Sequence, residues 1–149
     1  MTRSNARELA LHLILDMDYT GSASEEVVST RLEKAYYETL KAENEVYEER
    51  PNQKQVAYIR SVAAGVQERH EELEAYITKY AIGWNVSRIS RLARAILELA
   101  MFEILYVEDV PAGVAVSEAL LLAKKYETAE IASFVNGILG AFVRGETQA

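Results

Sequence analysis

The twenty residues from 87 to 106 read SRISRLARAILELAMFEILY, with apolar side chains recurring every three or four positions. An α-helix has 3.6 residues per turn, so this spacing places the apolar side chains on one face of a helix. Gly83 precedes the stretch and Pro111 follows it, and both residue types interrupt helices. We therefore predict a helix over about residues 87–106. Its predicted inward residues are Ile89, Leu92, Ile96, Leu99, Ala100 and Leu105.

The same period continues on both sides of this stretch. It predicts a first helix over about residues 5–19 and two helices after Pro111, over about 114–126 and 130–143. A second helix is predicted with five inward residues: Val28, Leu32, Ala35, Tyr36 and Leu40. A long third helix, ended by Gly83, is predicted with eight: Val56, Ile59, Ala63, Val66, His70, Leu73, Ile77 and Tyr80.

Three sequence pairs have the pattern of a capping box, in which two residues three positions apart hydrogen-bond to each other's backbone amides and open a helix. The pairs are Asn5 with Glu8, Ser22 with Glu25, and Asn52 with Gln55. No segment has the alternating period of a β-strand. The chain is therefore predicted to be a single all-α domain, 1–149, of six to seven helices. We expect two packed three-helix bundles, over about residues 1–82 and 83–149.

The composition limits the functional classes. Half of the 149 residues are apolar, there is no cysteine, and the net charge is −7. Disulfides and thiolate metal sites are therefore excluded, and binding of nucleic acid through a generally basic surface is disfavoured. The beginning of the chain has no apolar signal segment and no stretch is long enough to span a membrane. A cytoplasmic protein is expected.

Charge is nevertheless unevenly distributed along the chain. Residues 51–100 carry seven basic and five acidic side chains, whereas acidic residues outnumber basic ones in 1–50 and 101–149. Arg88, Arg91 and Arg94 follow one another near the start of the predicted 87–106 helix. Cations oppose the helix dipole there and cost about 0.3–1 kcal/mol each. An anionic partner is one explanation, and a solvated basic stripe paired with glutamates is the other.

The sequence offers little for catalysis. His12 and His70 are isolated, and His70 is interpreted as a structural residue on the apolar face of its helix. No metal-ligand spacing and no glycine-rich phosphate loop is present. We expect no enzymatic activity, no cofactor and no metal.

The dipeptide Asn136-Gly137 lies inside a helical pattern, where glycine costs about 1 kcal/mol relative to alanine. Close packing of another helix against Gly137 is the expected compensation, and a close ligand backbone is the alternative. For Asn136, packing and a polar contact remain equally open.

Five groups of residues along the chain form recognisable motifs: Asn5-Ala6-Arg7-Glu8-Leu9-Ala10; Ala64-Gly65-Val66; residues 94–103 followed by Asp109-Val110-Pro111; Ser117-Glu118-Ala119 with Ala123-Lys124-Lys125-Tyr126; and Phe134-Val135-Asn136-Gly137-Ile138-Leu139. Together these motifs resemble the NusB transcription-antitermination family. The resemblance extends over essentially the whole chain, and the order and spacing of the carboxy-terminal motifs make it specific.

The resemblance implies two three-helix bundles and a non-enzymatic role in transcription regulation. The implied partners are boxA RNA of ribosomal RNA transcripts, the ribosomal protein NusE and the RNA polymerase antitermination complex. Unpaired RNA bases are typically recognised through edge hydrogen bonds and stacking. By position, the implied RNA-binding residues are Arg3, Ser4, Arg7, Arg94, Phe134 and Asn136. Phe134 is expected to be partly exposed and to stack on RNA, while Leu15 and Glu103 are expected near NusE.

The chain also departs from the family pattern. Only Arg3 and Arg7 remain of a denser arginine motif, Glu98 follows Leu97 where the family reads Leu-Arg, and Glu72 replaces an aromatic residue of some members. These changes predict weak RNA binding by the protein alone.

A NusB-like protein-binding or homodimeric scaffold without strong RNA binding is therefore the alternative function. A NusB-like domain fused to an RNA methyltransferase is disfavoured, because 149 residues leave no room for a cofactor-binding domain.

Overall fold

The computed structural model describes residues 1–147, which contain α-helices and short 3-10 helices but no β-strand. The all-α prediction is therefore confirmed. The α-helices are α1 (Arg3–Thr20), α2 (Ser24–Arg31), α3 (Lys34–Thr39), α4 (Gln53–Glu68), α5 (His70–Tyr80), α6 (Arg91–Tyr106), α7 (Ala112–Tyr126) and α8 (Ala129–Glu146). The 3-10 helices are Leu40–Ala42, Glu45–Glu48 and Val86–Arg88. In this described part of the chain, no helix is both long and apolar enough to cross a membrane.

The structure has eight α-helices within residues 1–147 because two predicted helices are each divided into two. The second predicted helix is interrupted at Glu33, whose carboxylate accepts hydrogen bonds from the amides of Ala35 (3.1 Å) and Tyr36 (2.9 Å). Glu33 thus starts α3 as a new helix with a different inward face. Tyr37 is buried, whereas Ala35 and Tyr36 are exposed, so the prediction that these two face inward was wrong.

The long third helix is divided at Arg69, whose backbone leaves the helical region (φ −104°, ψ 19°). The Arg69 guanidinium contacts the carboxylate of Glu72 (3.2 Å) and the hydroxyl of Tyr106 (3.1 Å). His70 therefore begins α5 with its side chain half exposed, and its predicted inward position was wrong. Leu73 and Ile77 of the same predicted helix are buried as expected.

The chain divides into two compact units, Met1–Glu68 and Arg69–Ala149, the second described here to Thr147. In the first unit α1, α2 and α4 pack against one another as a three-helix bundle, with α3 against α2. In the second unit α6 contacts α5, α7 and α8. The boundary predicted at 82/83 lies at 68/69 instead, because α5 packs on α6 and α8. The second unit accordingly contains the four α-helices α5 to α8.

The core of the second unit is built around α6. Every residue from 95 to 103 is buried, which is the pattern of a helix enclosed on all sides. Ile96, Leu99 and Ala100 confirm the predicted inward face, and Ile89 and Leu92 are half-buried. An apolar sequence with few polar interruptions thus becomes a central helix rather than a surface one.

The first unit is stabilised by polar contacts in addition to its apolar core. The rings of Tyr37 and Tyr47 meet edge to face at 5.4 Å. The Tyr37 hydroxyl donates a hydrogen bond to the carbonyl of Glu49 (2.7 Å), and the Tyr47 hydroxyl lies 2.6 Å from His12 Nδ1. Burial raises the pKa of Tyr37 and that of Tyr47 to about 12.

Only one of the three predicted capping boxes forms. Asn52 and Gln55 bond reciprocally, each amide to the other's side-chain oxygen at 2.9 Å, as predicted. The box of Asn5 and Glu8 was wrong, because Thr2 caps α1. The box of Ser22 and Glu25 was also wrong, because α2 begins after Ala23 without a side-chain cap.

Candidate functional site

The first turn of α1 carries two of the predicted RNA-binding residues. The Thr2 hydroxyl accepts a hydrogen bond from the amide of Asn5 (3.0 Å), so the helix begins at Arg3, two residues earlier than predicted. Arg3 and Ser4 are exposed, and this turn contains no acidic residue. The Arg3 guanidinium and the amino-terminal end of the helix dipole both carry positive charge here. This surface therefore attracts an anion.

The position of Arg3 is set by an aromatic contact. Its guanidinium carbon lies 4.3 Å from the ring centroid of Tyr58 on α4. Such stacking uses the face of the guanidinium, whereas its hydrogen-bond donors lie at the edge in the same plane. The Tyr58 ring therefore contacts the guanidinium of the exposed Arg3 at the start of α1.

Arg7 does not share this exposed surface. Its side chain is 3% exposed, beside the similarly buried Glu8 on the inward face of α1. The sequence expectation that Arg7 contacts a phosphate would require this buried arginine to become exposed.

The predicted basic stripe of Arg88, Arg91 and Arg94 is not a continuous helix face. Arg88 lies in the 3-10 helix before α6, and Arg91 is the first residue of α6; both are exposed. The Arg94 guanidinium binds the carboxylate of Glu74 (2.5 Å) and the carbonyl of Val86 (2.8 Å). Arg94 therefore has a structural role in joining α5 and the 3-10 helix to α6.

Phe134 is 3% exposed, so the expectation that its ring is partly exposed was wrong. The indole of Trp84 covers it, with ring centroids 4.5 Å apart and planes at 63°. Trp84 itself is 49% exposed. The sequence analysis did not identify Trp84 as a site residue. Its position after a helix-ending glycine was the available signal that the indole would project from a loop.

Asn136 and Gly137 lie on the exposed face of α8. A Cβ atom added to Gly137 would meet no neighbouring atom within 4 Å. The expected close packing of another helix on Gly137 was therefore wrong. Asn136 is not a packing residue either, so its amide is available for a polar contact.

The two predicted partner-binding residues differ in exposure. Leu15 on α1 is half-buried, whereas Glu103 on α6 is completely buried. A direct contact of Glu103 with a partner protein is thus not available in this structure, because Glu103 belongs to the enclosed part of α6.

One group of metal-ligand side chains occurs among residues 1–147: His70, Glu74 and Glu98. His70 Nδ1 lies 2.9 Å from the buried Glu98 carboxylate, and Arg94 is bound to Glu74. The positive charge of Arg94 lies beside the Glu74 carboxylate, which a metal cation would need as a ligand. This charge disfavours metal binding. The arrangement is therefore interpreted as a structural contact between α5 and α6, in which Arg94 pairs with Glu74 and His70 lies beside the buried Glu98.

The described geometry is that of an all-helical protein with an exposed basic helix start and an exposed tryptophan over a buried phenylalanine. Comparison with known proteins defines the class further. The NusB family model matches residues 4–144, and the chain belongs to the NusB family. The transcription antitermination protein NusB of Symbiobacterium thermophilum is 39% identical over 145 residues, which cover 97% of this chain and 91% of the relative.

Solved structures show the same fold. NusB of T. maritima superposes with a TM-score of 0.78 at 24% identity, covering 97% of this chain and 92% of that one. A crystal structure of the antitermination factors NusB and NusE in complex with dsRNA gives a TM-score of 0.74 at 22% identity and covers 96% of both chains. The family and fold implied by the sequence resemblance are therefore confirmed.

Proposed function

We propose that this protein is a transcription antitermination factor that binds boxA-type RNA of ribosomal RNA transcripts together with the ribosomal protein NusE. The observation that carries the proposal is the NusB family match over residues 4–144, almost the whole chain. It is supported by curated relatives named as transcription antitermination proteins and by the similar fold of a NusB bound to NusE and dsRNA.

The surface features fit a binding protein better than an enzyme. The exposed first turn of α1 supplies Arg3 and Ser4 for phosphates, and the exposed amide of Asn136 suits a polar RNA contact. The protein acts by assembling RNA and protein partners in the RNA polymerase antitermination complex, in the cytoplasm, rather than by catalysis.

RNA binding is expected to depend on NusE. The net charge is −7, Arg7 is buried, and Arg94 is already bound to Glu74 and Val86. Of the three arginines predicted to contact RNA, only Arg3 is therefore exposed, and phosphate neutralisation supplies most non-specific affinity. NusE must therefore supply further RNA contacts or positive charge.

The second candidate function is a protein-binding or homodimeric scaffold. It is favoured by two exposed apolar residues seven positions apart on α7, Val114 and Leu121, which share one helix face. Gel filtration at several concentrations distinguishes this candidate, because Leu121→Glu would separate a homodimer formed through α7 but leave an RNA-binding monomer unchanged.

Fluorescence anisotropy with labelled boxA RNA, with and without purified NusE, tests the proposed function. We expect weak binding by the protein alone and binding at least ten-fold tighter with NusE. An RNA of the same length and scrambled sequence is the control. Equal affinity for both RNAs in the presence of NusE would contradict the proposal.

A further inference from the structure

A groove of about 330 Å³ lies in the carboxy-terminal unit, beside the exposed tryptophan. We call it the Trp84 groove; Trp84, Arg88 and Ile89 line it from the α5–α6 connection, and Glu130, Ile131 and Phe134 line it from α8. Its volume is at the lower end of the range for small-ligand sites, about 300–1,000 Å³. One nucleoside is an occupant of suitable size.

The backbone places Trp84 at the groove. Gly83 has a φ of +84°, a left-handed conformation that glycine adopts without strain, and it turns the chain at the end of α5. The amide of Trp84 then bonds to the carbonyl of Ala81 (3.1 Å). The indole packs edge to face on the buried ring of Phe134, yet 49% of Trp84 remains exposed. A large aromatic ring is thus held firmly on one side and open to solvent on the other.

Charge around the groove is suited to one orientation of an RNA strand. Arg88 is exposed and has no ion pair in the described part of the chain, so its guanidinium can receive a phosphate. Glu130 is exposed on the α8 side and repels a phosphate there. A nucleotide would therefore lie with its backbone towards Arg88 and its base towards Trp84.

We propose that the Trp84 groove binds one unpaired base of the RNA, stacked on the exposed part of the Trp84 indole, with the adjoining phosphate at Arg88. The inference rests on the proposed RNA-binding function and assigns the stacking role to Trp84. Phe134 then acts as a positioning residue, because its buried ring packs against the Trp84 indole. Stacking of bases on aromatic side chains is tolerant of sequence and suits single-stranded RNA.

The test uses the full chain bound to NusE and boxA RNA. Because Trp84 is the only tryptophan, ¹⁵N-labelled protein with unlabelled NusE gives one indole N–H signal from Trp84. We expect that signal to move when RNA is added to the NusB-family protein–NusE complex. In anisotropy titrations Trp84→Ala should weaken RNA binding by about 5- to 150-fold. Trp84→Phe, which retains an aromatic ring, should retain most of the affinity.

Ile82→Ala is the matched control, since Ile82 is 83% exposed two residues away but does not line the groove. Melting temperatures of the variants confirm folding. Wild-type RNA affinity in Trp84→Ala overturns the inference and leaves the proposed function standing. Weaker binding of Trp84→Ala to NusE without RNA would assign the groove to a protein and also overturn it. Absence of boxA binding by the wild-type protein with NusE overturns both proposals.

Discussion

The two units of the chain are stabilised by different kinds of interaction. In residues 1–68 buried tyrosine hydroxyls are hydrogen-bonded, as between Tyr37 and Glu49, and a reciprocal cap opens α4 at Asn52. In the second unit an apolar helix, α6, is enclosed by α5, α7 and α8. The buried tyrosines should therefore make the first unit sensitive to alkaline pH, and the enclosed α6 should make the second unit sensitive to loss of apolar volume.

The same contrast applies to the two candidate RNA-binding surfaces. The surface on α1 offers a cation at a positive helix end, Arg3, whose interaction with phosphate is screened by salt. The Trp84 groove offers an aromatic ring, whose stacking energy depends much less on salt. Substituting Arg3 in one variant and Trp84 in another can therefore separate the contributions of the two surfaces to RNA affinity.

The largest expected effect is that of Phe134→Ala on stability. Phe134 is buried beneath Trp84, and truncation of a buried phenylalanine costs about 3–5 kcal/mol in the free energy of unfolding. Urea denaturation followed by circular dichroism measures the loss. Trp84→Ala is the control and should cost much less, because its ring is half exposed. Equal costs for the two variants would mean that Phe134 is not a core residue.

A smaller effect is expected at alkaline pH, from the buried tyrosines of the first unit. The pKa of Tyr37 and that of Tyr47 are raised to about 12 in the folded protein, against about 10 in an unfolded chain. Below pH about 10 both states hold these protons, so the full stability is present. Between pH about 10 and 12 the unfolded state loses them first, and stability falls by up to about 2–3 kcal/mol per tyrosine.

Thermal melts from pH 8 to pH 12 test this dependence. The double variant Tyr37→Phe/Tyr47→Phe should show a shallower alkaline decline than the wild type. Tyr19→Phe is the matched control, because Tyr19 is 81% exposed. An alkaline decline of unchanged steepness in the double variant would show that burial of these hydroxyls does not couple folding to pH.

Periodicity predicted the helical class and most of the second unit well, because α6 and α8 bury long apolar runs such as Ile138 and Leu139. It could not predict the interruptions at Glu33 and Arg69. Each depends on one side chain that bonds where a continuous helix was expected: Glu33 to the backbone amides that follow it, and Arg69 to Glu72 and Tyr106. A helix period contains no information about such local competition.

The candidate site was predicted less completely than the fold. Arg3, Ser4 and Asn136 are exposed, as direct RNA contacts require, whereas Arg7, Phe134 and Glu103 are buried. A helical wheel gives the direction of a side chain relative to its own helix but not what covers it. The indole that covers Phe134 comes from a loop about fifty positions earlier in the sequence, beyond the reach of local pattern.

The most direct test of the account is the salt dependence of boxA affinity in the presence of NusE, measured by anisotropy for wild type, Arg3→Ala and Trp84→Ala. If Arg3 meets one phosphate, Arg3→Ala should flatten the slope of log K against log salt by about 0.7, the single-strand value. Trp84→Ala should lower affinity at every salt concentration with little change in slope. An unchanged slope in Arg3→Ala would contradict the account, because it would show that the exposed first turn of α1 does not contact the RNA backbone.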